Sequence, residues 1–295
     1  MVLACLLLAA QAAQPAPSPL DRLKASIERI TRSANATWGI YVKSLETGEE
    51  VAINADRQMD TMSVIKIPLM AEVYYQIKEG KFKLSDRYPI KAEDLLPGTG
   101  VLRSLDAGES ITVKDLITLM IIVSDNTATD VLFNMVGGVE PVNRRMATLG
   151  LKQTRATAPS RTWFAALRKA PSAEAFHRTA QNPYGLSSPH DIGVLLEQME
   201  RGVLVDKESS AQMLQIMRGQ LYRSRIPRYL TGFAIPHKTG DFMPYIGNDV
   251  GVLELAGDKR VVVSIFTANH FGNGWMLEDA IGQVSQAVAS YFEAK

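Results

Sequence analysis

Cysteine is nearly missing from the 295-residue chain, with Cys5 the only one. That excludes an intrachain disulfide framework and any zinc site built on several thiolates. Histidine is scarce, and His177, His190, His237 and His270 fall at no metal-ligand spacing, so no metal and no cofactor are expected. Nor is charge of either sign in excess. Lys and Arg number 32 against 31 Asp and Glu, a formal net charge of +1, which leaves no electrostatic footprint for nucleic acid or an anionic membrane surface. The apolar opening Met1–Ala13 is too short to cross a bilayer, so no transmembrane segment is expected. Neither a Gly-x-Ser-x-Gly elbow nor a phosphate-binding loop occurs, which disfavours an α/β-hydrolase and a P-loop enzyme.

What is present points to a globular, exported chain. Hydrophobic residues make up 46% and charged residues 21%, enough apolar surface for a sizeable core. Met1–Ala13 is uncharged and carries the small-x-small triplet Ala10-Gln11-Ala12, the character of a cleaved export signal, although no positive residue precedes it. A signal peptide over 1–12 and an exposed proline-rich linker over 13–19 are expected, with the protein periplasmic or secreted. Lipid attachment at Cys5 is the alternative, weakened because almost no apolar run precedes that cysteine.

Beyond the linker, Leu20, Leu23, Ile27 and Ile30 share one face of a helix over about Leu20–Arg32. Two strands follow, Trp38–Ser44 and Glu50–Asn54, joined at the hairpin signal Glu46-Thr47-Gly48. Helical period then governs Val64–Glu79, Val113–Val123, Ala128–Val136, Pro141–Leu149, Pro189–Arg201 and Glu208–Met217. Strand-like segments return at Phe233–Lys238, Val250–Leu255 and Val261–Ala268, and a helix over about Met276–Phe292 closes the chain. Strands at both ends with helices between them predict an α/β (α+β) fold. One antiparallel sheet would be built from both termini and flanked by the terminal helices, with an all-helical lobe inserted. The expected unit is a single domain over 20–295, its α/β lobe about 20–60 and 225–295 and its helical lobe about 61–224. A cleft between such lobes is where chemistry is expected.

Three short signals carry that chemistry: Ser63-Val64-Ile65-Lys66, Ser124-Asp125-Asn126 and Lys238-Thr239-Gly240, each present once. Serine and lysine three apart at a helix start share a face, with Cβ atoms about 5–6 Å apart. A buried or charge-flanked lysine can be neutral and take the serine proton, which activates a weak nucleophile. Unsatisfied N–H groups at the helix start can hold a developing oxyanion. Alone, Ser-x-x-Lys reads equally well as a helix cap with a solvated lysine. Ser124-Asp125-Asn126 falls in a break between helical runs, and Lys238-Thr239-Gly240 is placed at the end of a strand, where glycine permits close approach.

Together these residues resemble the serine β-lactamase and penicillin-binding protein superfamily. Pro97-Gly98-Thr99-Gly100-Val101-Leu102, Met120–Ala128, Val136-Gly137-Gly138, Ser187–Asp191 and Asn248-Asp249-Val250-Gly251 are similar to its class A branch. The resemblance covers essentially all of Leu20–Phe292. It implies Ser63 as the acylated nucleophile, Lys66 as its base and Ser124 as the proton donor to the leaving nitrogen. It implies Asn126 as the ligand of the substrate's side-chain amide, and Lys238, Thr239 and Gly240 as the carboxylate-binding strand. The oxyanion hole would be the backbone N–H of Ser63 and of Asp241, where an acidic side chain is unexpected.

One segment departs from the pattern. Class A enzymes carry a loop Trp-Glu-x-x-Leu-Asn whose glutamate activates the water that clears the acyl-enzyme. The counterpart here is Trp163-Phe164-Ala165-Ala166-Leu167-Arg168, so Phe164 stands for the glutamate and Arg168 for the asparagine. Glu174 would rescue the role if the loop folds back; a solvated surface glutamate is the other reading. Arg225 either serves the substrate carboxylate or is an exposed loop charge. His237 alternates off the face of Lys238 and is read as structural. The expected protein is a monomeric serine hydrolase opening a β-lactam amide through Ser63, with slow deacylation. A D,D-carboxypeptidase on D-Ala-D-Ala-type peptides, a promiscuous esterase and a non-catalytic β-lactam or peptidoglycan sensor stay open.

Overall fold

The structure, a computed structural model, describes residues 17–179, 183–232 and 235–295. The expected signal with Cys5, and residues 13–16 of the linker, lie outside the described residues. The end of that linker is already helix. Ser18 Oγ accepts the Asp21 N–H at 3.1 Å, and Pro19 supplies a first-turn residue that has no N–H to satisfy.

The chain runs α1 Pro19–Thr31, β1 Thr37–Ser44, β2 Glu50–Ile53 and the two-residue β3 Met59–Asp60. After a 3-10 turn at Met62–Ile65 come α2 Lys66–Lys78, β4 Arg87–Pro89, β5 Ser110–Thr112, α3 Val113–Ile122, α4 Asn126–Val136 and α5 Val139–Thr148. Then follow β6 Arg155–Ala156, α6 Ser160–Lys169, α7 Ala173–Thr179, β7 Gly185–Ser187, α8 Pro189–Glu200 and α9 Lys207–Arg218. The chain ends with β8 His237–Phe242, β9 Ile246–Glu254, β10 Arg260–Ala268 and α10 Gly274–Glu293.

Five strands form one antiparallel sheet in the order β2-β1-β10-β9-β8, so the two chain ends meet where β1 pairs β10 from Thr37↔Ala268 to Ser44↔Val261. Alternation along β10 divides two cores. Val261, Val263 and Ile265 pack with Leu23 and Ile27 of α1 and with Ile281, Val284 and Val288 of α10. Val262 and Phe266 point the other way, into the helical lobe with Leu69, Met120 and Leu195. A one-residue slip would exchange the two sets, so the register is strongly specified. Tyr41, on the helical face of β1, lies so close to α8 that a Cβ on Gly193 would overlap its ring.

The helical lobe is built around α2. Its Ile67, Leu69, Met70 and Val73 are fully buried, and so is Lys66 at its first position. A helix buried on all sides needs partners for its polar groups. Glu72 takes an ion pair from Arg145 at 2.8 Å, and Gln76 donates to the Val136 carbonyl at 2.9 Å.

Two expectations change. Of the strand expected at Phe233–Lys238, residues 233 and 234 lie outside the described residues, and its end belongs to β8, which carries Lys238-Thr239-Gly240 in its interior because pairing with β9 continues through Asp241↔Gly247 and Phe242↔Ile246. The segment after Trp163, read as a loop, holds most of α6 and all of α7.

Candidate active site

Ser63 sits on the 3-10 turn that feeds α2, half-buried at the floor of a cleft of about 260 Å³. The turn is strained, with Met62 at φ 46°, a conformation that persists only when its surroundings fix it. Asp60 Oδ1 accepts the Met62 N–H at 2.9 Å, and the Thr61 N–H reaches the Gly185 carbonyl at 2.9 Å, tying the turn to β7.

Ser124 is also strained, at φ 55°. Its carbonyl accepts from Lys66 Nζ at 2.8 Å and from Thr99 Oγ1 at 2.6 Å. Asp125 locks the turn from both sides. Oδ1 caps α4 through the Ala128 N–H at 2.9 Å, and Oδ2 accepts the N–H groups of Val101 and Leu102 at 2.7 and 2.9 Å. The Pro97–Val101 loop wraps so tightly that a Cβ on Gly100, whose φ is 109°, would collide with Asp125.

Two lysines converge on Ser124 Oγ, Lys66 Nζ at 3.0 Å and Lys238 Nζ at 3.1 Å. Those N–H groups occupy both lone pairs of the hydroxyl and leave its own hydrogen free to donate. Lys66 Nζ also donates to the Ser124 carbonyl and, at 3.0 Å, to Asn126 Oδ1. As an ammonium it therefore has all three N–H groups engaged and no lone pair with which to take a proton. Burial, and then the like charge of Lys238, hold it well below the usual lysine range, which favours the neutral base. Burial also lowers Lys238, to about 8, against the pull of Asp241 and Asp249. Lys66 makes no hydrogen bond to Ser63 Oγ in this state; its link to the nucleophile's surroundings runs through Ser124 and Asn126.

Strand β8 closes the site. A Cβ on Gly240 would lie 3.0 Å from the Ser63 nitrogen and collide with the Thr61 carbonyl, so only glycine lets the strand come this near. Thr239 Oγ1 is buried without a hydrogen-bond partner, a hydroxyl beside Lys238 with unused capacity. Behind β8, His237 Nδ1 lies 3.0 Å from Asp249 Oδ1, both wholly buried, in keeping with a structural role. Arg225 is not an exposed charge, although it lies on a loop. It is buried, paired with Asp241 and Glu278, and donates to the Asn248 carbonyl at 2.8 Å.

The remaining wall is aromatic. Asp130 accepts the N–H groups of Ser160 and Arg161 at 2.7 and 2.9 Å and so caps α6 from α4. Helix α6 then presents Trp163, Phe164 and Leu167 to the cleft. Phe164 Cζ and Asn126 Nδ2 lie 2.7 and 2.6 Å from the point where a Gly98 Cβ would be, so the ring stands beside Asn126. Arg168 is exposed and outside the cleft lining. Glu174 does not fold back. Half-exposed on α7, it pairs with Arg178 one turn on at 2.7 Å. Thr99, Asp60 and Asp130 were not singled out from sequence. Thr99 and Asp130 act on backbone groups distant in sequence, and Asp60 accepts the Tyr184 N–H at 3.3 Å as well as that of nearby Met62, contacts that no local pattern announces.

A hydroxyl on a strained turn, a buried lysine pair and a bridging serine, set between a sheet edge and a helical lobe, define a class A-like site of the serine β-lactamase and penicillin-binding type. A sequence profile described as "Beta-lactamase enzyme family" matches residues 22–292, and the chain belongs to that family. It is similar to the extended-spectrum beta-lactamase PER-1 of Pseudomonas aeruginosa, 26% identical over 294 residues covering 95% of this chain and 89% of that protein. Among solved structures, a beta-lactamase from Sphaerobacter thermophilus is 29% identical, covers 92% of this chain and 97% of its own, and has a TM-score of 0.79. PBP-A is 25% identical with a TM-score of 0.80, over 95% of this chain and 99% of its own. A point mutant of PBP-A has been solved as an acyl-enzyme complex with penicillin G. Among the described residues no helix is long and apolar enough to cross a membrane.

Proposed function

We propose that the protein is a serine hydrolase that opens β-lactam amides through an acyl-enzyme on Ser63 and releases that intermediate slowly. The observation that carries this reading is the convergence of Lys66 and Lys238 on Ser124 Oγ beside Ser63. The substrate carboxylate docks on Lys238 and Thr239, where a cation and an unused hydroxyl suit it. Neutral Lys66 takes the Ser63 proton as Oγ attacks the lactam carbonyl. The tetrahedral oxyanion is held by the Ser63 and Asp241 N–H groups. Ser124 Oγ passes its hydrogen to the departing nitrogen and is reprotonated from Lys66. Ring opening leaves an ester on Ser63, and Asn126 steadies the side-chain amide.

Clearing that ester needs a base for water, and the wall facing it offers Phe164. Losing a general base typically costs about 10²–10⁴-fold, so the adduct should persist. The same observation favours a second reading, a penicillin-binding D,D-carboxypeptidase whose natural substrate ends in D-Ala-D-Ala. The apolar start at Met1–Ala13 supports action outside the cytoplasm.

Intact-mass measurement after mixing with benzylpenicillin tests the proposal. The expected result is one covalent adduct, absent in Ser63→Ala, that decays over minutes or longer. No adduct together with unchanged hydrolysis in Ser63→Ala would overturn it. Release of D-alanine from a D-Ala-D-Ala peptide would select the peptidase.

A further inference from the structure

Among the described residues Asp241 is the one acidic side chain lining the cleft, and the proposed acylation steps make no use of its carboxylate. Its backbone nitrogen belongs to the oxyanion hole, but its carboxylate turns to Arg225. That guanidinium has only 4% of its side chain exposed, against 35% for Asp241, and a second carboxylate, Glu278, lies 3.3 Å away on α10. Ser224 Oγ donates to the same Glu278 oxygen at 2.8 Å, and Arg225 Nη1 donates to the Asn248 carbonyl. Arg225 Nε is buried with no partner. The cation behind the carboxylate-binding strand is thus neutralised by resident acids while one of its donors is idle. The negative charge of Asp241 also acts on Lys238, Lys66 and Tyr222.

We propose that Asp241 is a selectivity residue. Its carboxylate holds Arg225 and competes with the substrate's own carboxylate for the positive charge at this end of the cleft, so the site favours substrates with little negative charge there. The inference rests on the acyl-enzyme reading above. A bound carboxylate beside Lys238 meets a like charge a few ångströms away, at the edge of a partly solvated site where such repulsion is not fully screened. A neutral ester of the same compound carries no such penalty.

The test compares benzylpenicillin with its methyl ester on wild-type protein, Asp241→Asn and the double variant Asp241→Asn with Arg225→Gln. Acylation of Ser63 is followed by mass at pH 6.5, where Lys238 is charged. Asp241→Asn keeps the size of the side chain and the backbone N–H. The acid should acylate it about tenfold faster at low concentration, the scale of one charge acting across a partly solvated site. That gain should lie in the half-saturating concentration, with the limiting rate unchanged, and shrink in 0.5 M salt. The ester should change less than about twofold, because its neutral group feels no field. The double variant should lose most of the gain. Because Asp241 favours charged Lys238, the loss of acid acylation as Lys238 deprotonates near pH 8 should move to lower pH in Asp241→Asn. Equal changes for acid and ester, or slower acylation of the acid at pH 6.5, would overturn the inference. Failure of the wild type to be acylated by either compound would sink the functional reading and this inference with it. A wild type that is acylated, with no acid-over-ester gain in Asp241→Asn, would sink the inference alone.

Discussion

The two walls of the cleft differ in kind. On the Ser124–Lys238 side, the polar groups are buried and cross-linked, from Lys66 to Ser124 and Asn126, from Lys238 to Ser124, and from Asp125 to the Pro97–Val101 loop. The α6 side offers a packed aromatic cluster, with Trp163 edge-on to Phe164, Phe176 and Phe242 at 5.3–5.4 Å. In the proposed mechanism, forming an ester on Ser63 and clearing it by water are separate chemical tasks, and they would face separate elements. On that proposal one wall would hold the bases and donors for the first task, while the other presents Phe164 where the second would need a carboxylate. The contrast teaches that a chain with the family's fold can keep the buried polar cluster of one wall while the facing wall is built from aromatic rings.

The largest effect should come from the polar wall. Lys66→Ala removes the proton acceptor, and acylation by benzylpenicillin should fall about 10²–10⁴-fold. The thermal midpoint is measured alongside, because Lys66 also holds the Ser124 carbonyl and Asn126. A folded variant that acylates within about tenfold of wild type would show that another group is the base.

A smaller effect, and of opposite sign, is expected on the aromatic wall. Phe164→Glu places a carboxylate beside Asn126 and Ser63. Supplying a base there should shorten the adduct's lifetime about 10–100-fold while acylation changes little. If the adduct persists unchanged, the two walls differ in something other than the missing base.

The polar wall could be read from the sequence because its residues are grouped in three short motifs whose spacing follows helix and turn geometry. The sheet was legible for a similar reason, since β1 and β10 are short runs rich in β-branched and aromatic residues, bounded by the turn signals Glu46-Thr47-Gly48 and Gly257-Asp258. The aromatic wall was not. Helix α6 has Pro159 at its N-cap and so no side-chain cap of its own, and the cap comes from Asp130, distant in sequence. Helix α7 owes its place to Phe176 packing on Trp163 and Phe242. The burial of Arg225 likewise depends on Asp241 and Glu278, contributed by β8 and α10. Each of these is a tertiary contact that no local pattern encodes. The far end of β8 lies beyond the expected one because ladder pairing with β9, continuing to Phe242↔Ile246, decides where that strand stops.

The smallest expected effect is the sharpest check on the contrast. Glu174 is the acidic residue that sequence offered as a replacement base, yet it is half-exposed on α7 and paired with Arg178. An exposed pair one helical turn apart contributes only about 0.3–0.5 kcal/mol. Glu174→Gln should therefore leave both acylation and release within about twofold, and the thermal midpoint nearly unchanged. Single-turnover mass measurements resolve the two steps. Slower release with normal acylation would mean that α7 swings its carboxylate to the ester after acylation, which requires Phe176 to leave its contacts with Trp163 and Phe242. Burial of Phe176 at 8% exposure opposes that movement, because an aromatic side chain drawn out of a packed cluster loses both apolar burial and edge-on ring contacts. The aromatic wall is thus expected to stay shut through the reaction.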